Sequence, residues 1–189
     1  MQKKIKISAF AGIVYLVSFL PELTFETMRE LGDPNGSITF FLIISYIIST
    51  LSTIVFYYGF IVIGNKLQNN LLVVGSAIII LTTIFYYLYS WYTVDLVDIE
   101  EEIFGVSVLL LYGFSGIVFG FGLYKLRDVL GKLASIAGIL EIVVGFFLIT
   151  VVLFFLGLIL SIPAIIIEVL LLLNVAQLDA FKEEKSIAV

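Results

Sequence analysis

Residues 133–178 form a 46-residue run that holds only two charges, Glu141 and Glu168. As one helix, at about 1.5 Å per residue, this run would be roughly twice as long as a bilayer's hydrocarbon core is thick. It therefore has to turn back on itself. Gly157 loosens the helix and Pro163 suits the first turn of a new one, which puts the expected turn around Phe155–Ser161. Elsewhere, apolar runs of span length lie near 5–24, 38–63, 71–93 and 103–124. With 133–154 and 157–178 they make six.

Composition requires the same class. The chain of 189 residues is 61% hydrophobic and 13% charged, against about 25% charge in soluble domains. A soluble domain of this size cannot hide so much apolar surface, so the excess has to face lipid. The expected fold is an all-α integral membrane bundle of about six transmembrane helices, one domain over 1–189. The N-terminal Met1-Gln-Lys-Lys-Ile-Lys6 and the apolar run after it look like a signal peptide. No small-x-small cleavage site follows, so the segment is read as an uncleaved first span.

Basic residues orient the bundle. In a six-span arrangement Lys3, Lys4, Lys6, Lys66, Lys125, Arg127, Lys132, Lys182 and Lys185 share one face, and only Arg29 falls on the other. By the positive-inside rule the lysine-rich face, with both termini, is cytoplasmic in a cell membrane. The opposite loops, 21–37 and 94–102, are acidic and are expected to be solvated outside. Glu22, Glu26 and Glu30 share a helix face, so the first span is expected to run on as a short outer helix. Gly32 would cap it, Asp33-Pro-Asn-Gly36 would turn the chain, and Asn35-Gly-Ser37 is a permissive glycosylation sequon. Aromatic clusters at 56–60 and 85–92 read as interfacial belts.

An internal repeat is visible. Ser52-Thr-Ile-Val-Phe-Tyr-Tyr-Gly59 aligns with Ser115-Gly-Ile-Val-Phe-Gly-Phe-Gly122 at an offset of 63, and the same offset pairs Gly75 with Gly138 and Ile79 with Ile142. The unit is a helical hairpin, about 38–93 and 103–154. Two spans separate the copies, so the repeat is parallel.

Chemistry has few candidates. The chain has no Cys and no His, which removes disulfides, thiolate nucleophiles and the usual zinc and haem ligands. No phosphate-binding glycine loop, nucleophile elbow or Ser–Lys pair is present, so no enzyme activity, cofactor or metal is expected. The net charge of −5 gives no reason to expect a nucleic-acid partner.

What stands out is acid within apolar runs. Glu141 and Glu168 lie at similar depth, and each sits on a stripe of small residues: Gly131, Ala134, Gly138 and Gly145 for one, Gly157, Ser161 and Ala164 for the other. Small residues let helices approach closely, and an intramembrane acid faces the bundle interior rather than lipid. If the last two spans are antiparallel neighbours, the two carboxyls can meet. Glu141, Glu168 and Ser161 are thus the candidate ion- or proton-binding group. A purely structural pair, bonded to backbone, Ser161 or each other, is the alternative. Gly113, Gly116 and Gly120 give the fourth span a small-residue face for packing within the chain or between chains. Asn174 and Gln177 read as interfacial.

Lys125-Leu-Arg-Asp-Val-Leu-Gly-Lys-Leu-Ala-Ser-Ile-Ala-Gly138, with the apolar run after it, resembles the second half of small archaeal multi-pass membrane proteins of unknown function, over about 115–178. The Ile- and Tyr-rich, Cys-free composition suits a thermophilic archaeon. The resemblance implies a cytoplasmic basic loop, a glycine and two closely spaced spans, and no activity. Length and span count are also similar to the substrate-capture subunits of energy-coupling-factor vitamin transporters. Their Ala-x-x-x-Ala signature has no counterpart here, since Ser8-Ala-Phe-Ala-Gly12 is only a small-residue cluster. The leading expectation is a non-enzymatic subunit or scaffold, with lipid and other membrane subunits or further copies of itself as partners. The second is a component of a small-solute or ion transporter using the glutamate pair.

Overall fold

The structure, a computed structural model, describes residues 1–30, 36–92, 100–150, 152–178 and 181. The expected Gly32 cap, the sequon's Asn35, the acidic residues Asp95 and Asp98, and Lys182 and Lys185 lie outside them.

The described chain is all helical: α1 (Gln2–Glu30), α2 (Gly36–Lys66), α3 (Asn70–Tyr92), α4 (Glu100–Lys125), the one-turn α5 (Arg127–Leu130), α6 (Lys132–Ile149) and α7 (Phe154–Val175). Six of these are long and apolar enough to cross a membrane. Only 33% to 39% of each apolar stretch is buried, so the remaining apolar surface needs lipid. Phe10, Val17 and Leu20 on α1, and Phe85, Leu88 and Trp91 on α3, are among the large side chains on that outer surface.

Each long helix packs on the one before and the one after, and α7 returns to α1. The result is a closed ring in the order α1–α2–α3–α4–α6–α7. Closure matters because an interior bounded by six helices is wider than side chains alone fill. The N-terminus, the 66–70 turn, α5 and the end of α7 lie at one end of the ring, together with Lys66, Lys125, Arg127 and Lys132.

One boundary differs from expectation. The last two spans are α6, ending at Ile149, and α7, beginning at Phe154, so the chain turns before Phe155–Ser161 rather than within it. Thr150 ends α6, its N–H bonding to the Phe146 carbonyl at 3.2 Å and its hydroxyl donating to Phe147 at 2.8 Å. Gly157 and Pro163 both lie inside α7. Glycine and proline punctuate helices in water, but inside a membrane bundle neighbouring groups tolerate both. Gly157 is a contact site instead: a Cβ there would stand 3.0 Å from Leu148 Cδ2 on α6. The first span runs on as expected, unbroken through Pro21 to Glu30, with the outer extension continuous with α1.

Gly131 is not a packing residue. Its φ is +79° with nothing within 4 Å of an added Cβ, and it joins α5 to α6. Glycine is used there for backbone conformation. The other glycines of the stripe do pack. A Cβ on Gly120 would stand 2.6 Å from the Gly138 carbonyl oxygen, one on Gly138 would stand 2.6 Å from that of Gly120, and one on Gly145 would stand 2.5 Å from that of Gly113. The backbones of α4 and α6 therefore touch along three turns.

One glycine pair of the 63-residue offset occupies equivalent places. Gly59 on α2 packs on Ser8 of the preceding helix, and Gly122 on α4 packs on Leu72 of the preceding helix. The other pair does not: Gly75 faces forward onto Phe119 of α4, and Gly138 faces back onto α4.

Gly138→Ala should lower thermal stability by about 1–3 kcal/mol, because backbone rather than a movable side chain blocks the new methyl group. Gly105→Ala, with nothing within 4 Å, should be neutral or gain up to about 1 kcal/mol. Thermal denaturation of the purified chain in detergent measures both.

Candidate functional site

The ring is solid at its basic end. Phe56, Tyr57 and Phe60 of α2 and Phe119 of α4 form an edge-to-face aromatic cluster, with Phe60 and Phe119 centroids 5.0 Å apart at 89° and Tyr57 and Phe119 at 5.4 Å and 74°. Ile5, Leu72, Leu123, Leu172 and Phe181 fill in around it. Three of the four aromatics at 56–60 thus serve the core, and only Tyr58 faces outward, with Lys4 Nζ 5.9 Å from its ring.

Beyond this plug the interior is hollow. A cavity of about 420 Å³ runs through the other half of the ring and is bordered by all six long helices. Its walls are mostly apolar, and its ionisable groups are acids. Glu22 and Glu26 of α1 border one level, and Glu141 of α6 borders a deeper one, near Tyr57. No Lys or Arg lines it.

Glu141 and Glu168 meet, as the sequence suggested. Their carboxyl groups come within hydrogen-bonding reach of each other across the α6–α7 contact. Glu168 is fully buried and Glu141 is 6% exposed. Neither oxygen of Glu168 receives a hydrogen bond from an O–H or N–H group. A carboxylate can only accept, so this pair is complete only with a proton or a cation between its members. Gly116 makes room for it: a Cβ there would stand 3.4 Å from Glu141 Oε2. Gly116 is thus less a packing residue than the vacancy into which the Glu141 carboxyl fits. The Tyr15 and Tyr57 rings lie close enough to interact with both carboxyl charges. Ser161 borders the cavity, but its hydroxyl donates to the Leu158 carbonyl at 2.7 Å rather than to either glutamate.

The second acidic level departs from expectation. Glu22 and Glu26 are not solvated loop residues but lie on α1, turned into the ring. Glu22 is 8% exposed. Its carboxylate accepts from Ser49 at 2.6 Å and from the Tyr87 hydroxyl at 2.8 and 3.0 Å, and Ser49 in turn lies 3.0 Å from Ser18. Glu26 accepts from the Tyr46 hydroxyl at 2.8 Å. Tyr87 therefore has a polar partner inside the bundle, whereas its neighbours Phe85 and Trp91 are on the outer surface. The signal that could have found this network is a hydroxyl stripe: Ser45, Ser49, Ser52 and Thr53 are all buried on one otherwise apolar helix. Such a stripe calls for a polar neighbour, and Ser18 and Glu22 on α1 supply one to Ser49.

Between the two levels the Tyr112 hydroxyl donates to Thr83 at 2.8 Å. Among the described residues the ion pair formed is Arg127–Asp128 at 3.6 Å, outside the cavity on the basic surface. Among the described residues, then, no Lys or Arg forms an ion pair with any of the four interior carboxyl groups. They are arranged as two pairs, and no cluster of three metal-binding side chains occurs among the described residues.

The two levels should respond oppositely to mutation. Ser49→Ala removes a donor from a buried carboxylate and should cost about 1–3 kcal/mol. Glu168→Leu replaces an unpartnered acid by an apolar side chain of similar size and should leave stability unchanged or raise it by about 1–3 kcal/mol. Melting curves in detergent give both signs; a loss above about 2 kcal/mol for Glu168→Leu would mean the acid is a structural bond.

No family model, no curated protein and no solved structure matches this chain.

Proposed function

We propose that the chain is a non-enzymatic membrane protein that binds a small cationic species inside its helix ring, as a component of a small-solute or ion transporter, with Glu141 and Glu168 at the binding level. The observation that carries the reading is the hollow, six-helix interior whose ionisable lining is acidic throughout. An uncompensated acid within a membrane span is expensive. A cation or proton that enters the cavity offsets that expense, and a purely structural core has no need of it.

The positive-inside rule orients the basic end toward the cytoplasm. The plug of Phe56, Phe60 and Phe119 then lies on the cytoplasmic side, and the cavity occupies the outer half. A solute arriving from outside meets Glu26 and Glu22 before Glu141.

A scaffold role within a larger assembly rests on the glycine faces of α4 and α6. Those faces are occupied: Gly113, Gly120, Gly138 and Gly145 pack against one another's helices. They leave no small-residue surface there for another subunit, which favours the binding reading.

Thermal stabilisation of the purified chain by sodium, potassium and simple alkylammonium ions tests the proposal. At least one should stabilise the wild type, by about 2.7 kcal/mol at a hundredfold excess over its Kd. Glu141→Gln and Glu168→Gln should abolish that response while keeping the unliganded melting temperature. If both variants respond as wild type does, the reading fails.

A further inference from the structure

Acids border one cavity at two levels, Glu22 and Glu26 at one and Glu141 at the other, which points to a ligand with two charged ends. We infer that the cavity accepts an elongated aliphatic diamine or polyamine, one ammonium at Glu141, behind which Glu168 lies, and another at Glu22 and Glu26. This rests on the cation-binding reading above and narrows its ligand.

The spacing follows from the hydrogen-bond ladder. Glu141 stands level with Gly116 on α4. One turn along α4, Tyr112 donates to Thr83 of α3. One turn along α3, Tyr87 donates to Glu22. The two acidic levels are thus two helical turns apart, roughly 11 Å. An extended chain advances about 1.2 Å per bond. With an N–H···O contact of about 3 Å at each end, a spacer of roughly four to eight carbons joins the levels.

The walls between the levels suit such a spacer. Leu16, Phe19, Leu109, Val144 and Ile162 present apolar surface there, which methylene groups cover and a hydrated inorganic ion does not. Tyr15 and Tyr57 border the cavity near the deeper level. A volume of about 420 Å³ lies in the range of small-molecule sites.

The ends are chemically distinct. At the deeper end, Glu168 is fully buried with both oxygens unpartnered and lies behind Glu141, which borders the cavity. An ammonium there supplies the donors the pair lacks. At the outer end, Ser49, Tyr87 and Tyr46 hold the carboxylates of Glu22 and Glu26 in place. A carboxylate has about four lone-pair directions, so acceptor capacity remains for an incoming N–H. A monoamine satisfies one level and leaves the other uncompensated.

The test uses the full-length chain in lipid nanodiscs and measures affinities by calorimetry. The probes are linear diamines from ethylenediamine to decamethylenediamine, each beside the monoamine of equal carbon number. The best diamine should exceed its monoamine by about tenfold or more, the value of one charge-assisted hydrogen bond. Affinity should peak at an intermediate length. Glu22→Gln should collapse the diamine-to-monoamine ratio toward one. The length profile of the unmutated chain carries the test if that variant does not fold. A flat profile, or equal affinity for monoamine and diamine, overturns the two-ended ligand and leaves the cation-binding reading standing. Binding of sodium or potassium that depends on Glu141, with no amine bound, does the same. No response to any amine or inorganic cation overturns both.

Discussion

The close approach of α4 and α6 is the contact on which the rest of the ring depends. Lipid tails are as apolar as leucine, so the hydrophobic effect does not drive membrane helices together; packing at short range has to do so. Alternating glycines let the two backbones meet near Gly113, Gly120, Gly138 and Gly145. The same contact sets the register that puts Glu141 opposite Gly116. A glycine one turn away on either side is filled by backbone, and this one is filled by a carboxyl group. One stripe of small residues thus both holds the ring closed and places its acid at the cavity wall.

Much of this was legible in the sequence, for reasons that can be stated residue by residue. The number of spans followed from hydrophobicity and from the impossibility of a single helix over 133–178. That Glu141 could meet Glu168, if the last two spans were antiparallel neighbours, followed from depth and from two small-residue stripes. The turn between α6 and α7 was misplaced because Gly157 and Pro163 were weighed as they would be in water. Gly131 was misassigned because a seven-residue spacing cannot tell a packing glycine from one that serves a positive φ. Glu22 was missed for another reason. Proximity to an acidic, turn-rich stretch suggested solvent, yet its i−4 neighbour Ser18 and the hydroxyls of α2 show a polar interface inside the bundle.

Energetically the ring is divided. The basic half is packed around large aromatic and aliphatic side chains, and Glu22 and Glu26 are tied into hydroxyl networks. The Glu141–Glu168 pair is the exception, since it buries two acids with no donor and no protein cation. Stable cores avoid such an arrangement. Proteins retain strained or unsatisfied groups where binding requires them, at a loss in stability.

The aromatic plug also decides what kind of conduit this ring can be. Phe56, Tyr57, Phe60 and Phe119 meet edge to face across the axis, so the hollow is a cup with a floor rather than a pore. Passage to the basic side would require those rings to leave one another. Each such contact is worth about 0.5–1.5 kcal/mol beyond its area, so the floor opens as a unit or stays shut. In the transporter reading proposed above, such a cup leaks little when empty, and the rate of delivery is set by how the helices beneath it move, not by its filling.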